Sequence, residues 1–427
     1  MSAFTIADVY ALQIIDSRGD PTVEVVVVTD GGGVGRAATP AGASRGRYEA
    51  VELRDGGRSW GGRGVSRAIE NINKFIAPAI KGLESNMYRV VDKRLLELDG
   101  TPNKSRLGAN ALTAVSLANI KAAADTLGVP LFQFLGGFKA RLLPIPLMNL
   151  INGGAHAGNE LTFQEFMIVP VGADKFSEAL RMAVEIYKEL RKYLKERYGP
   201  SAVNVGDEGG YAPPMRFVKE ALDALVNSIR RTGYSEGTDV YLALDTAASQ
   251  FYDEGKNVYR VDGRELSSED LLEYYRELVS QYPIKIIEDP FNEEAFQEFT
   301  KLRSYVKGQV LIIGDDLTVT NIDRIKKAVS TDSIDGSIIK VNQVGTISES
   351  EVCVEYLLNS GRKAIISHRS GDTEDNVIAH IAVAYGVGFI KTGAPARGER
   401  TSKYNELLRI EYWLGDEALY AGKLKLL

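Results

Sequence analysis

The chain of 427 residues contains a single cysteine, Cys353, so an intramolecular disulfide and a paired-cysteine metal site are both excluded. No stretch approaches the roughly 20 apolar residues needed to span a bilayer. Positive charge is not in excess: the formal net charge is -6 and the pI near 5.5, which argues against a general electrostatic grip on nucleic acid or an anionic membrane. Any anionic ligand must therefore be held by a local site. A Walker A loop, a G-x-G-x-x-G after a strand, a C-x-x-C pair and a G-x-S-x-G elbow are all missing, so nucleotide-driven and acyl-enzyme chemistry lose ground. The first residues lack the charged-then-apolar pattern of a secretory leader, and a cytoplasmic location is expected.

What is present is the composition of an ordinary globular protein, 44% hydrophobic and 25% charged, long enough for two or three domains. Residues 1–136 read as an α+β domain, with β-rich runs at 9–15 and 22–28 and helical periodicity at 67–80, 87–98 and 109–127. Two glycine-rich loops, 39–47 and 55–64, interrupt it, and the first is a candidate lid. A linker is expected around 142–146. Within residues 140–427, apolar runs at 240–245, 284–288, 311–315, 337–340, 364–368 and 388–391 each end in a polar residue and precede an amphipathic stretch. Their last four spacings, 23–28 residues, match one βα unit each. This predicts an α/β fold with a parallel βα barrel, a doubly wound open sheet being the alternative. The terminal polar residues would then crowd the C-terminal rim, where barrel active sites lie.

Asp245, Glu288 and Asp315 end three of these runs. Converging carboxylates suit a hard cation such as Mg²⁺, whereas singly they would only cap helices or solvate loops. Asp289 and Asp316 read as supporting or helix-start residues. Lys340 and Lys391 also end runs; two neighbouring ammonium groups would depress each other's pKa and make one a general base, unless both simply pair with the acidic rim. His368-Arg369-Ser370 suits a phosphate, since Arg offers a bidentate fork and Ser a hydroxyl. His156 sits in the turn-rich segment 152–158, Glu208 in the glycine-flanked turn 204–210 as a candidate general acid, and His380 in a helical stretch as a core or surface residue. A calcium loop at 204–210 lacks EF-hand spacing. Metal, base and anion clamp together describe proton abstraction beside a carboxylate.

Ordered strings along nearly the whole chain carry a resemblance. They include Asp16-Ser17-Arg18-Gly19, Gly42-Ala43-Ser44, Asn152-Gly153-Gly154 with His156, Gln164-Glu165-Phe166-Met167, Gly206-Asp207-Glu208-Gly209-Gly210, Glu288-Asp289-Pro290-Phe291, Lys340-Val341-Asn342-Gln343 and Lys391-Thr392-Gly393-Ala394-Pro395. With these the chain resembles the enolase family. The resemblance implies a barrel of irregular ββαα(βα)6 type, a reversible dehydration of 2-phosphoglycerate to phosphoenolpyruvate in glycolysis and gluconeogenesis, and two Mg²⁺ per site, the second arriving with substrate. It implies Lys340 as the base at carbon 2, with Glu208 and Glu165 expelling the carbon-3 hydroxyl. Asp245, Glu288 and Asp315 would hold the first Mg²⁺ and Ser44 the second. Arg369 and Ser370 would grip phosphate and Lys391 the carboxylate; His156 would close over the substrate, and Gln164 and His368 would line the pocket. Dimers or octamers are usual in the family, and a secondary surface or secreted pool is reported for it. The lid departs from the common pattern, reading Ser44-Arg45-Gly46-Arg47-Tyr48 where many enolases carry Thr after Ser. Two other readings share parts of this pattern: a superfamily racemase or cycloisomerase acting without phosphate, and an added binding role through the Lys423-Leu424-Lys425 tail.

Overall fold

Pro21–Thr29 is rich in valine and forms the central strand of an antiparallel sheet, flanked by Ile6–Ile15 and Val34–Ala38; these are β2, β1 and β3. The computed structural model describes residues 2–42, 46–424 and 426–427, so Ser44 and Lys425 lie outside the described residues. β3 is an addition to the expected strands, because Val-Gly-Arg-Ala-Ala shows neither alternation nor β-branched enrichment. The helix Ala109–Leu127 has the expected bounds and is buried on nearly every side, since it lies between the sheet and the barrel. Close packing there depends on Gly35: a Cβ at that position would stand 1.9 Å from the Ala118 carbonyl oxygen.

The expected linker at 142–146 is strand instead. β4 (Leu142–Leu143) pairs with a strand near the C-terminus, and β5 (Ile145–Asn152) starts after one intervening residue. Pro146 is accommodated because it stands at the start of a buried strand, where proline is tolerated. β5, β6 (Glu165–Pro170), β7 (Val240–Asp245), β11 (Ile284–Glu288), β12 (Leu311–Gly314), β13 (Gly336–Ile339), β14 (Lys363–Ser367) and β15 (Phe389–Lys391) close into a barrel. The open-sheet alternative is thereby excluded. All neighbours are parallel except β6, which runs antiparallel to both β5 and β7. Two helices, Phe176–Tyr198 and Val218–Arg231, follow β6 before six regular βα units, so the order is ββαα(βα)6. The long interval between Asp245 and Glu288 holds a small sheet, β8 (Tyr252–Asp253), β9 (Val258–Val261) and β10 (Arg264–Leu266). β16 (Leu419–Tyr420) is the partner of β4.

Polar bonds fix the N-terminal part against the barrel. Thr113 Oγ1 donates to the Gly345 carbonyl at 3.1 Å, and the Ile347 amide donates to Ser116 Oγ at 3.0 Å. Ala41 and Gly371 exchange backbone bonds of 2.7 and 2.9 Å, and the Ala50 amide donates to the Gln343 carbonyl at 2.8 Å. The start of the candidate lid, at Ala41, and the chain just after it, at Ala50, are thus both tied to the barrel.

Asp92 joins the same seam, accepting from the Ser348 amide at 3.0 Å and the Ser348 hydroxyl at 2.5 Å. Burial pushes its carboxyl up to about 6, against the hydrogen bonds from Ser348 and Ser116. The folded state therefore holds this proton more tightly than the unfolded chain, and stability falls as pH rises from about 4 to about 6. Asp92→Asn is expected to flatten that slope, by up to about 3 kcal/mol, in urea midpoints measured from pH 4 to 7. An unchanged slope would refute the assignment.

Candidate active site

Register brings the acidic residues together before any side-chain detail is considered. Glu165 pairs with Asp245 across β6 and β7, and Asp245 with Glu288 across β7 and β11, so three carboxyl groups share one rim. All three are buried. Lys391, at the end of β15, sits among them: its Nζ lies 2.9 Å from Asp245 Oδ2, 2.8 Å from both Glu288 oxygens and 3.1 Å from Glu165 Oε1. Asp315, just past β12, pairs with Lys340, just past β13. The expected strand ends at 315, 340 and 368 each overrun by one residue, because the side chain that reaches the rim belongs to the first residue beyond the ladder.

Of the two readings the sequence left open for the lysines, the structure favours pairing with the acidic rim over mutual depression of their pKa values. Burial alone would lower both, but Asp315 raises Lys340, and Asp245, Glu165 and Glu288 raise Lys391 well above the ordinary lysine range. Each ammonium is nearer to carboxylates than to the other ammonium, so attraction outweighs their mutual repulsion. The acids show the opposite strain. Burial and neighbouring negative charge push Glu165, Glu288 and Asp289 well up, and Asp316 to about 7. Asp315 Oδ1 is buried without a hydrogen-bond partner. The rim holds more carboxyl groups than cations to neutralise them, which fits a divalent metal site.

Among the described residues, two groups bring ligand atoms within 4.8 Å of one another: Asp289, Asp315 and Asp316, and His156, Glu165 and Glu208. Asp245 and Glu288 face Asp315 from neighbouring strands, with the two lysines interposed as counter-charges. Asp289 accepts from the Asp315 and Asp316 amides at 2.9 and 2.6 Å, which sets the turn carrying Asp315. Its own φ of 43° is strained for a residue other than glycine.

On the other side of the cleft, Glu208 accepts from Asn149 Nδ2 at 3.2 Å and lies 3.3 Å from His368 Nε2 and 3.6 Å from His156 Nδ1. Burial opposes its ionisation, yet the two imidazoles and Arg400 hold its carboxyl well below the ordinary range. Burial lowers both histidines, His368 to about 4, so both rings are neutral at neutral pH. Burial and the charge of Glu208 raise the carboxyl of Glu165, whereas that of Glu208 is lowered, so Glu165 is the member of the pair that binds a proton more tightly. Gln164 lies 3.4 Å from Asp245 Oδ2 and accepts from Gln250 at 3.0 Å. Arg369 is clasped by Glu49 through two contacts of 3.0 and 3.2 Å and donates to Asn342 Oδ1 at 3.2 Å; Ser370 follows it at the same mouth.

The structure therefore gathers His156, Gln164, Glu165, Glu208, Asp245, Asp315, Lys340, His368, Arg369, Ser370 and Lys391 around one cleft, with Glu288 beneath it; Ser44 falls outside the described residues. His380 is elsewhere, stacked on Phe132 and 3.2 Å from Glu406. Sequence reasoning missed Glu49, Asn149 and Arg400. Asn149 carried a weak signal as a polar residue inside an apolar strand, whereas Glu49 and Arg400 carried none.

Known proteins agree along the whole length. Residues 6–135 match a family described as "Enolase, N-terminal domain" and residues 140–426 one described as "Enolase, C-terminal TIM barrel domain". The chain is similar to the enolase of Methanopyrus kandleri, 55% identical over 98% of each chain. It is 54% identical to that of Aeropyrum pernix, over 98% of this chain and 96% of that one. The enolase of Pyrococcus furiosus is 53% identical over 98% of this chain and 97% of its own.

Replacing Lys391 by Met strands three buried carboxyl groups without their cation. A loss of roughly 3–5 kcal/mol is expected in chemical denaturation, and added Mg²⁺ should restore part of it. A variant as stable as the parent would show that the ammonium is not the counter-charge holding this rim.

Proposed function

The chain belongs to the enolase family, and from that premise we propose how it carries out the family's reaction, the reversible removal of water from 2-phosphoglycerate to give phosphoenolpyruvate. The observation that carries the reading is the opposition, across one buried cleft, of a lysine and carboxylate cluster to the Glu165/Glu208 pair with the Arg369 clamp at its mouth.

Lys340 takes the proton from carbon 2. It can do so only when neutral, a form that burial favours and the charge of Asp315 opposes. Asp245, Glu288 and Asp315 would hold a metal ion, which we read as Mg²⁺ because the donors are all carboxylate oxygens. An ion held there would supply positive charge against the substrate carboxylate and would offset the charge of Asp315 that favours protonated Lys340. Lys391 contacts the substrate carboxylate. The carbon-3 hydroxyl departs toward Glu208 and Glu165, which between them hold the proton it needs to leave as water. Arg369 and Ser370 bind the phosphate, His156 closes over the substrate, and Gln164 and His368 line its pocket. A second Mg²⁺ held through Ser44 completes the reading.

Residues 1–136 act in this reading as a cap and 140–427 as the catalytic domain, a division supported by the break between the two family matches at 135 and 140. No helix among the described residues is long and apolar enough to cross a membrane, and we read the enzyme as a cytoplasmic homo-oligomer, dimer or octamer. Exposed Phe138, Tyr412 and Trp413 support subunit contacts.

Phosphoenolpyruvate absorbance should rise when 2-phosphoglycerate and Mg²⁺ are added, and a chelator should abolish the rise. Lys340→Ala is expected to lower turnover by about 10²–10⁴-fold or more. A well-folded parent that turns over a non-phosphorylated hydroxy acid as readily as 2-phosphoglycerate would sink the reading.

A further inference from the structure

Arg400, on the helix Gly398–Leu414, is fully buried and lies beneath the cleft. Its Nη1 is 2.6 Å from His368 Nδ1 and 2.6 Å from the Arg369 carbonyl oxygen; its Nη2 is 2.5 Å from the Ser370 carbonyl oxygen and 3.0 Å from that of Asp207. A guanidinium has donors only and keeps its charge at any ordinary pH. His368 Nδ1 must therefore be the acceptor in this pair, which leaves the ring proton of the neutral imidazole on Nε2. That nitrogen faces Glu208 Oε1 at 3.3 Å, a contact that does not close as a full hydrogen bond in this structure. Burial keeps the ring neutral, so tautomer rather than charge decides what it offers Glu208.

We propose that Arg400 is a positioning residue for this reaction, which locks His368 in its Nε2–H tautomer and so aims a hydrogen-bond donor at Glu208. The inference rests on the reading that Glu208 handles the departing hydroxyl. The same guanidinium ties the carbonyls of Arg369, Ser370 and Asp207, which fixes the phosphate-side strand end and the Glu208 turn relative to one another. Asp372 and Lys403 complete the layer: Lys403 Nζ donates to Asp372 Oδ1 at 3.0 Å, and the Arg369 amide donates to Asp372 Oδ2 at 3.2 Å.

With three histidines in the chain, nitrogen-15 spectra of the imidazoles are tractable, and His368→Gln identifies the signal in question. The parent is expected to show His368 with Nδ1 unprotonated and Nε2 protonated; the opposite tautomer overturns the proposal without any Arg400 variant being needed. Arg400→Met should populate both tautomers and lower kcat more than it changes KM, by about tenfold, the worth of one hydrogen bond. Arg400→Lys, which keeps a donor, should recover part of both effects. An Arg400→Met protein with the parent tautomer and kcat overturns the positioning role. Glu208→Gln separates the two readings: if it retains parent turnover, the role of Glu208 fails while the tautomer assignment stands on the spectrum.

Discussion

Glu165, Asp245 and Glu288 are buried within reach of one ammonium group, that of Lys391. Unpaired charges at that depth are costly, and neighbouring carboxylates add to the cost by repelling one another. The barrel meets the requirement by delivering lysines from strands on the opposite side of the ring, Lys391 from β15 and Lys340 from just beyond β13. Neutralisation is incomplete, and the deficit appears as raised pKa values for Glu165, Glu288 and Asp316. The affinity of the rim for a cation and the burial of its lysines thus share one electrostatic origin.

The barrel strands that could be read from sequence were those whose apolar run ends in a charged or polar residue. β7 and β11 were bounded correctly because Asp245 and Glu288 are both the last residue of the ladder and the residue at the rim. β5 escaped because it is apolar throughout apart from its asparagines, and its first residues fall in the stretch expected to be a linker. β6 escaped because its site residue, Glu165, stands at its beginning rather than its end. Arg400 was invisible for a different reason: a charged residue in a helix with charges spread along it looks solvated until tertiary packing closes over it. The choice between the two lysine readings turned on distance, since a common rim for two ammonium groups does not say which carboxylate each will touch.

The reversed direction of β6 has a topological consequence. An ordinary βα unit climbs by its strand and descends by its helix, so a descending strand upsets the parity of the chain. One helix must climb and a second descend before β7 can rise, and Phe176–Tyr198 and Val218–Arg231 form that pair. The reversal therefore replaces two strand-to-helix loops at the rim with a strand-to-strand crossing at 153–164 and a helix-to-helix crossing at 199–217. His156 lies on the first and Glu208 on the second, while Glu165 opens the descending strand itself. One quarter of the ring thus carries His156, Glu165 and Glu208, and the remaining strands carry Asp245, Glu288, Asp315, Lys340, Arg369 and Lys391. A chain rewired into eight identical units would keep the second set and lose the first.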